Sequence, residues 1–98
     1  MRIFVKMRMA NGRPVGRRIC LLAKSSDTIG NLKEMIAAGS VRGKPHPWIK
    51  MTVNEQTLKF YNIDMDTSIM SDIILEDSRT LSFYDIGHGD LLFLCANH

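Results

Sequence analysis

Odd and even positions separate at the start of the chain. Ile3, Val5, Met7 and Met9 alternate with Arg2, Phe4, Lys6 and Arg8, the period of a strand with one buried face. Asn11-Gly12 breaks the pattern as a turn, and Val15, Ile19, Leu21 and Ala23 resume the odd-numbered apolar face. A tight Asn-Gly loop would set odd positions against even ones and face Val5 with Arg18. A loop over residues 11–13 with a bulge instead places Val5 opposite Ile19 and Ile3 opposite Leu21, which keeps both apolar faces on one side. The period then changes. Ile29, Leu32 and Ile36 recur at helical spacing, with Thr28 or Asp27 as the N-cap and Gly39 as the stop. Gly30, near the helix start, weakens that helix by about 0.5–1 kcal/mol relative to Ala.

Residues 40–57 carry less pattern. Gly43, Pro45 and Pro47 mark VRGKPHPW as loop, and either IKMTV (49–53) or LKFYNI (58–63) supplies the third strand. LEDSRTLSFYDI, at 75–86, is a polar turn followed by Leu81, Tyr84 and Ile86. Gly87-His88-Gly89-Asp90 turns the chain again, and LLFLC (91–95) reads as a buried last strand with Leu92 and Leu94 on one face. A thinner copy of the polar segment, TLKFYNI, stands earlier at a spacing of 23. It is read here as coincidence or a tolerated insertion, because repeat architectures need three or more units. The first and last strands are the most apolar, so they belong side by side and parallel in the sheet centre. The helix provides the crossover and covers one face. The order predicts an α+β fold: a β-grasp with a mixed four- to five-stranded sheet on one main helix.

Three stretches carry a resemblance. MRIFVK (1–6), SDTI (26–29) with Lys33 and Ile36 beyond it, and LEDSRTLSFYDI (75–86) are similar to strings of ubiquitin, in the same order. The chain thus resembles the ubiquitin superfamily. The resemblance implies that LED is a short edge strand and SRT a turn. It also implies that Leu81, Tyr84 and Ile86 fasten a 3₁₀ segment to the core, with the Tyr84 hydroxyl holding the neighbouring loop. The chain departs from the family in an extended first hairpin and an insertion between the helix and residue 75. It also ends FLCANH, without the di-glycine tail of conjugated modifiers, so a non-conjugating module is expected. A longer parent protein, or a modifier whose tail lies beyond His98, remains the alternative.

Composition narrows the class without naming a chemistry. A chain of 98 residues with 45% apolar and 23% charged content makes one domain, residues 1–98. Arg2, Lys6 and Arg8 interrupt the opening apolar run, so no signal peptide or membrane span is expected there. Cys20 and Cys95 suggest no disulfide framework and a reducing compartment, cytoplasm or nucleus. The net charge of +3 conceals an asymmetry. Residues 1–50 hold eleven Lys/Arg against two acids, and residues 51–98 hold two against eight. A polarised surface follows.

Catalysis is not expected: the two cysteines with His46, His88 and His98 show no nucleophile or zinc spacing, and no cofactor or metal is implied. Gly87-x-Gly89 lacks the strand–loop–helix context of a dinucleotide loop. The candidate binding residues lie on the helix-free face. Phe4, Phe93 and Cys95 alternate with buried neighbours and form a contact surface. Arg2, Lys6, Arg8, Arg18 and Lys24 sit on even positions of the hairpin and steer acidic partners. Trp48 is read as packing. Of the seven methionines, Met1, Met7 and Met35 fall on core faces and are filler rather than a site. The function expected is noncovalent protein binding by a monomer, with ubiquitin-system or proteasome-related partners implied by the resemblance and no nucleic acid or membrane. A PB1-like or Ras-association-like β-grasp, pairing the basic hairpin with an acidic partner, is the rival reading.

Overall fold

The computed structural model describes residues 1–8, 14–39, 52–64 and 69–96. In β1 (Arg2–Arg8) the alternation is realised: Ile3, Val5 and Met7 are buried, and Phe4, Lys6 and Arg8 are half-buried on the opposite face. β2 (Pro14–Leu22) pairs antiparallel to it, with Val5 opposite Ile19 and Ile3 opposite Leu21, as the odd-to-odd register requires. Beyond Val5 the register shifts, and Met7 faces Val15. Lys6 alone separates these pairs on β1, whereas Gly16, Arg17 and Arg18 separate them on β2. The irregularity therefore lies inside the hairpin. Because an even number of extra residues is inserted, odd still faces odd and the buried face survives. The turn placed at 11–13 lies outside the described residues.

Helix α1 (Ile29–Ala37) begins at Thr28, whose Oγ1 accepts from the Asn31 N–H at 3.1 Å. Asp27, the other candidate cap, instead accepts from the Lys24 N–H at 2.8 Å and tightens the preceding turn. Ile29, Leu32 and Ile36 are buried as the stripe predicts, and Gly39 exits with φ +75°. Lys33, off that stripe, is also buried at 7% exposure, and its ammonium pairs with the Asp77 carboxylate.

The third strand among the described residues is β3 (Gln56–Asp64), so LKFYNI forms a strand; of IKMTV only Thr52 and Val53 lie among the described residues. Val53 instead starts a 3₁₀ turn, Val53–Glu55, capped by Glu55 Oε1 accepting from the Thr52 N–H at 3.1 Å. β4 (Ile69–Ile74) pairs antiparallel with β3 and forms the sheet edge. The resemblance placed that edge at Leu75–Asp77. Strand pairing ends at Ile74 instead, and Leu75 adds one further hydrogen bond, N–H to the Leu58 carbonyl at 2.9 Å. β5 (Leu91–Ala96) lies between β1, parallel, and β3, antiparallel, giving the order β2-β1-β5-β3-β4. The architecture is a small α+β domain, with one α-helix among the described residues and a five-stranded mixed sheet. No helix among them is long and apolar enough to cross a membrane.

The inner sheet face and the helix stripe bury one cluster, in which Leu58 is fully buried opposite Leu94. The earlier copy of the repeated segment is therefore a core strand, which corrects its reading as a tolerated insertion. The later copy folds differently. Thr80 bridges to Thr28, Ser82–Tyr84 forms a 3₁₀ turn, and Asp85 adopts φ 57°. Leu81 and Ile86 are buried, and the Tyr84 hydroxyl accepts from the Glu76 N–H at 2.8 Å, as the resemblance implied. This loop is laced to the helix start: the Gly30 N–H donates to the Asp77 carbonyl at 3.0 Å, and the Leu81 N–H to Asp27 at 3.0 Å. A Cβ at Gly30 would stand 3.3 Å from that Asp77 oxygen, so the glycine weakens the helix but permits the loop to approach. At the other bend Gly89 takes φ +88°, Asp90 Oδ2 accepts from the Gly87 N–H at 2.7 Å, and His88 Nδ1 accepts from the Arg2 N–H at 2.9 Å.

Two stability outcomes follow from this packing. Leu58→Ala should cost about as much as Leu81→Ala, about 2–4 kcal/mol each in chemical denaturation, because both fill the same core. Asp77→Ala should cost about 1–3 kcal/mol, since it strands a buried ammonium. Lys33→Met should cost less, because the carboxylate it leaves behind is exposed and solvated; the reverse ranking would show that the ammonium does not depend on Asp77 and that the lysine contributes through its own side chain.

Candidate interaction face

The side of the sheet away from α1 collects the alternate residues of every strand. Phe4 stands between Cys20 and Leu91 in register, and Lys6 stands beside Phe93, which neighbours Lys59 and then Ile74. The structure thus brings Phe4, Lys6, Arg8, Arg18, Phe93 and Cys95 to one face, as the alternation predicted. Lys24 is the exception. β2 ends at Leu22, and Lys24 belongs to the turn closed by Asp27.

The face is organised by guanidinium groups on aromatic rings. Arg8 Cζ lies 4.5 Å from the Tyr61 ring centre and 4.4 Å from that of Phe93. Those rings meet edge to face, 5.0 Å apart at 88°. Arg18 Cζ lies 4.4 Å over Phe4. Such contacts contribute about 0.5–1 kcal/mol when exposed and about 2 when desolvated. Arg8 is the more desolvated, and its Nε is buried with no hydrogen-bond acceptor.

This changes the role expected of Arg8. It is not a solvated charge acting at long range but a packed side chain closing a three-membered stack. Phe93 is likewise half-buried in that stack rather than a free ring. Tyr61 is the member the sequence reading does not single out, because LKFYNI is only one of its two candidates for the third strand and the repeat within it reads as coincidence or a tolerated insertion. The signal was present: Thr57, Lys59 and Tyr61 alternate with buried Leu58 and half-buried Phe60, as a strand would.

Both cysteines are half-buried on this face as thiols, with no disulfide between them. β1 separates their strands, and Cys20 aligns with Phe4 and Leu91 rather than with Cys95. Large apolar side chains are exposed at both margins, Leu22 on β2 at 50% and Ile74 on β4 at 63%. Among the described side chains of the outer face there is no carboxylate. Asp27, Glu76, Asp77, Asp85 and Asp90 sit in loops, Glu34 is on α1, and Asp72 on β4 stands in register beside Tyr61. Glu76 meets Arg79 Nε at 3.3 Å, and Arg79 in turn lies 4.4 Å over exposed Phe83, a separate patch. His46, Trp48 and His98 lie outside the described residues.

Arg8→Ala should therefore destabilise by about 1–2 kcal/mol, and Arg18→Ala by about 1 kcal/mol or less. A double-mutant cycle with Phe93→Ala should show coupling for Arg8 and none for Arg18. Equal costs for the two arginines in urea denaturation would mean that the stack is not formed in solution.

No known protein-family model matches this chain and no curated protein matches it, so the face is interpreted from its own residues.

Proposed function

We propose that the chain is a ubiquitin-like β-grasp module that binds other proteins noncovalently through the outer sheet face. Three features support the fold reading: the parallel pairing of β1 with β5, helix α1 crossing between them, and the Tyr84 hydroxyl fastening the 3₁₀ loop. The observation that carries the function reading is the face itself. It joins half-buried aromatic rings, stacked arginines and exposed apolar margins on the side of the sheet away from α1. Apolar anchors with arginine and a polar surround are the composition of protein contact patches.

The partners that the resemblance suggests are proteins of the ubiquitin system or the proteasome, met by a monomer in the cytoplasm or nucleus. The PB1-like reading draws on the same basic strands and makes the partner's acidity the deciding property.

A purified partner captured with the full chain should contact Phe93 and Tyr61 in amide shift mapping. Phe93→Ala should weaken that binding by about tenfold or more, as the loss of one buried aromatic anchor does, while circular dichroism is unchanged. Phe83→Ala, on the separate patch, should leave binding intact. A partner lost with Phe83→Ala and kept with Phe93→Ala would place recognition on the loop and sink the sheet-face reading.

A further inference from the structure

Acids and bases on the described surface are unequally matched. Asp77 pairs with Lys33 and Glu76 with Arg79, while Asp27 and Asp90 accept from the backbone N–H groups of Lys24 and Gly87. Among the described side chains Arg8 and Arg18 stack on rings and meet no carboxylate, and the Arg8 Nε–H is buried without an acceptor. A guanidinium held over a ring keeps its in-plane N–H donors for an acceptor. Held there, it also loses less rotamer freedom when a carboxylate arrives than a solvated side chain does. Resting on the protein-binding reading above, we infer that the segment seated on this face is acidic and that Arg8 and Arg18 bind its carboxylates directly.

This goes further than long-range steering. Steering needs positive charge near the surface, and lysine provides it as well as arginine. Direct reading needs the planar fork, which lysine lacks. A nucleic acid would also be drawn to the charge, but its bases need open rings to stack on. Here Arg8 covers the rings of Tyr61 and Phe93, and Arg18 covers that of Phe4. The apolar side chains at the margins, Leu22 and Ile74, suit the side chains of a peptide and have no counterpart in a phosphate backbone.

The test uses the full chain, isotopically labelled, and four probes: a soluble peptide of Glu with interspersed Leu, its Gln analogue, a single-stranded RNA, and phosphatidylcholine vesicles containing phosphatidylserine. The Glu peptide should shift the Arg8 and Arg18 Nε–H signals together with the outer-face amides, and the Gln analogue should not. The Arg8→Lys/Arg18→Lys variant keeps the formal charge and should bind the Glu peptide about tenfold or more weakly, the loss expected for a charge-assisted bidentate contact. Arg18→Lys alone, at the exposed position, should show part of the same loss if the double variant unfolds. Equal affinity of the Lys variants overturns direct reading. Binding of RNA or vesicles with the Glu peptide inert overturns the choice of partner. A captured protein lost with Phe93→Ala but retained by the Lys variants overturns this inference while sustaining the protein-binding reading.

Discussion

Phe4 through Met7 pair in parallel with Leu91 through Leu94, and two parallel neighbours cannot be joined by a hairpin. Everything between them must leave the sheet, cross a face and return. The only α-helix among the described residues makes that crossing, and its nine residues are too few to cover five strands. The loop from Leu75 to Ile86 completes the cover by inserting Leu75, Leu81 and Ile86 beside the helix stripe. Its closeness to the helix explains local features that otherwise look unfavourable: a glycine within the first helical turn, a buried lysine paired with the loop's aspartate, and a non-glycine residue at positive φ in Asp85.

Among the described residues α1 and the 75–86 loop cover one face, and the other combines contact area that braces the central strands with charge that meets water. Aromatic rings on β1, β3 and β5 supply contact area, and arginines laid on them return a charged, hydrated surface. The arrangement differs from a simple apolar patch. Its cations are ordered by the rings beneath them, so shape and charge are set by the same contacts. Among the described side chains of this face, the large exposed apolar ones, Leu22 and Ile74, stand at its margins.

Strand periodicity and helix stripe were legible in the sequence because each residue's neighbours agree with it. Val5 with Ile19, Thr28 as cap, and the buried Leu92 and Leu94 needed only parity and spacing. Lys33 was not legible, because its burial depends on an aspartate far along the chain. The stack on Arg8 was hidden for a related reason: it joins β1, β3 and β5, and only strand order brings them together. The duplicated segment is the sharpest case. TLKFYNI and TLSFYDI share five residues, yet Leu58-Lys59-Phe60-Tyr61 runs as strand with Tyr61 outward, while Ser82–Tyr84 curls into a 3₁₀ turn with Phe83 outward. Local sequence does not decide between them. The turn before the later copy is tied to the helix start, and Asp85 accepts the left-handed conformation that ends it, whereas Asn62 lies inside a paired strand.

The central pairing also orders events during synthesis on the ribosome. The β1–β2 hairpin and the β3–β4 hairpin can each form from neighbouring residues, but Leu91–Ala96, the strand that pairs with both, is made last. Until then Ile3, Val5 and Leu58 are held on two half-sheets with unpaired inner edges, each a template for another nascent chain. Closure waits on the last strand, and contacts so distant in sequence form slowly. The basic residues of β1 and β2 are translated early, so like-charge repulsion keeps neighbouring nascent hairpins apart through that interval.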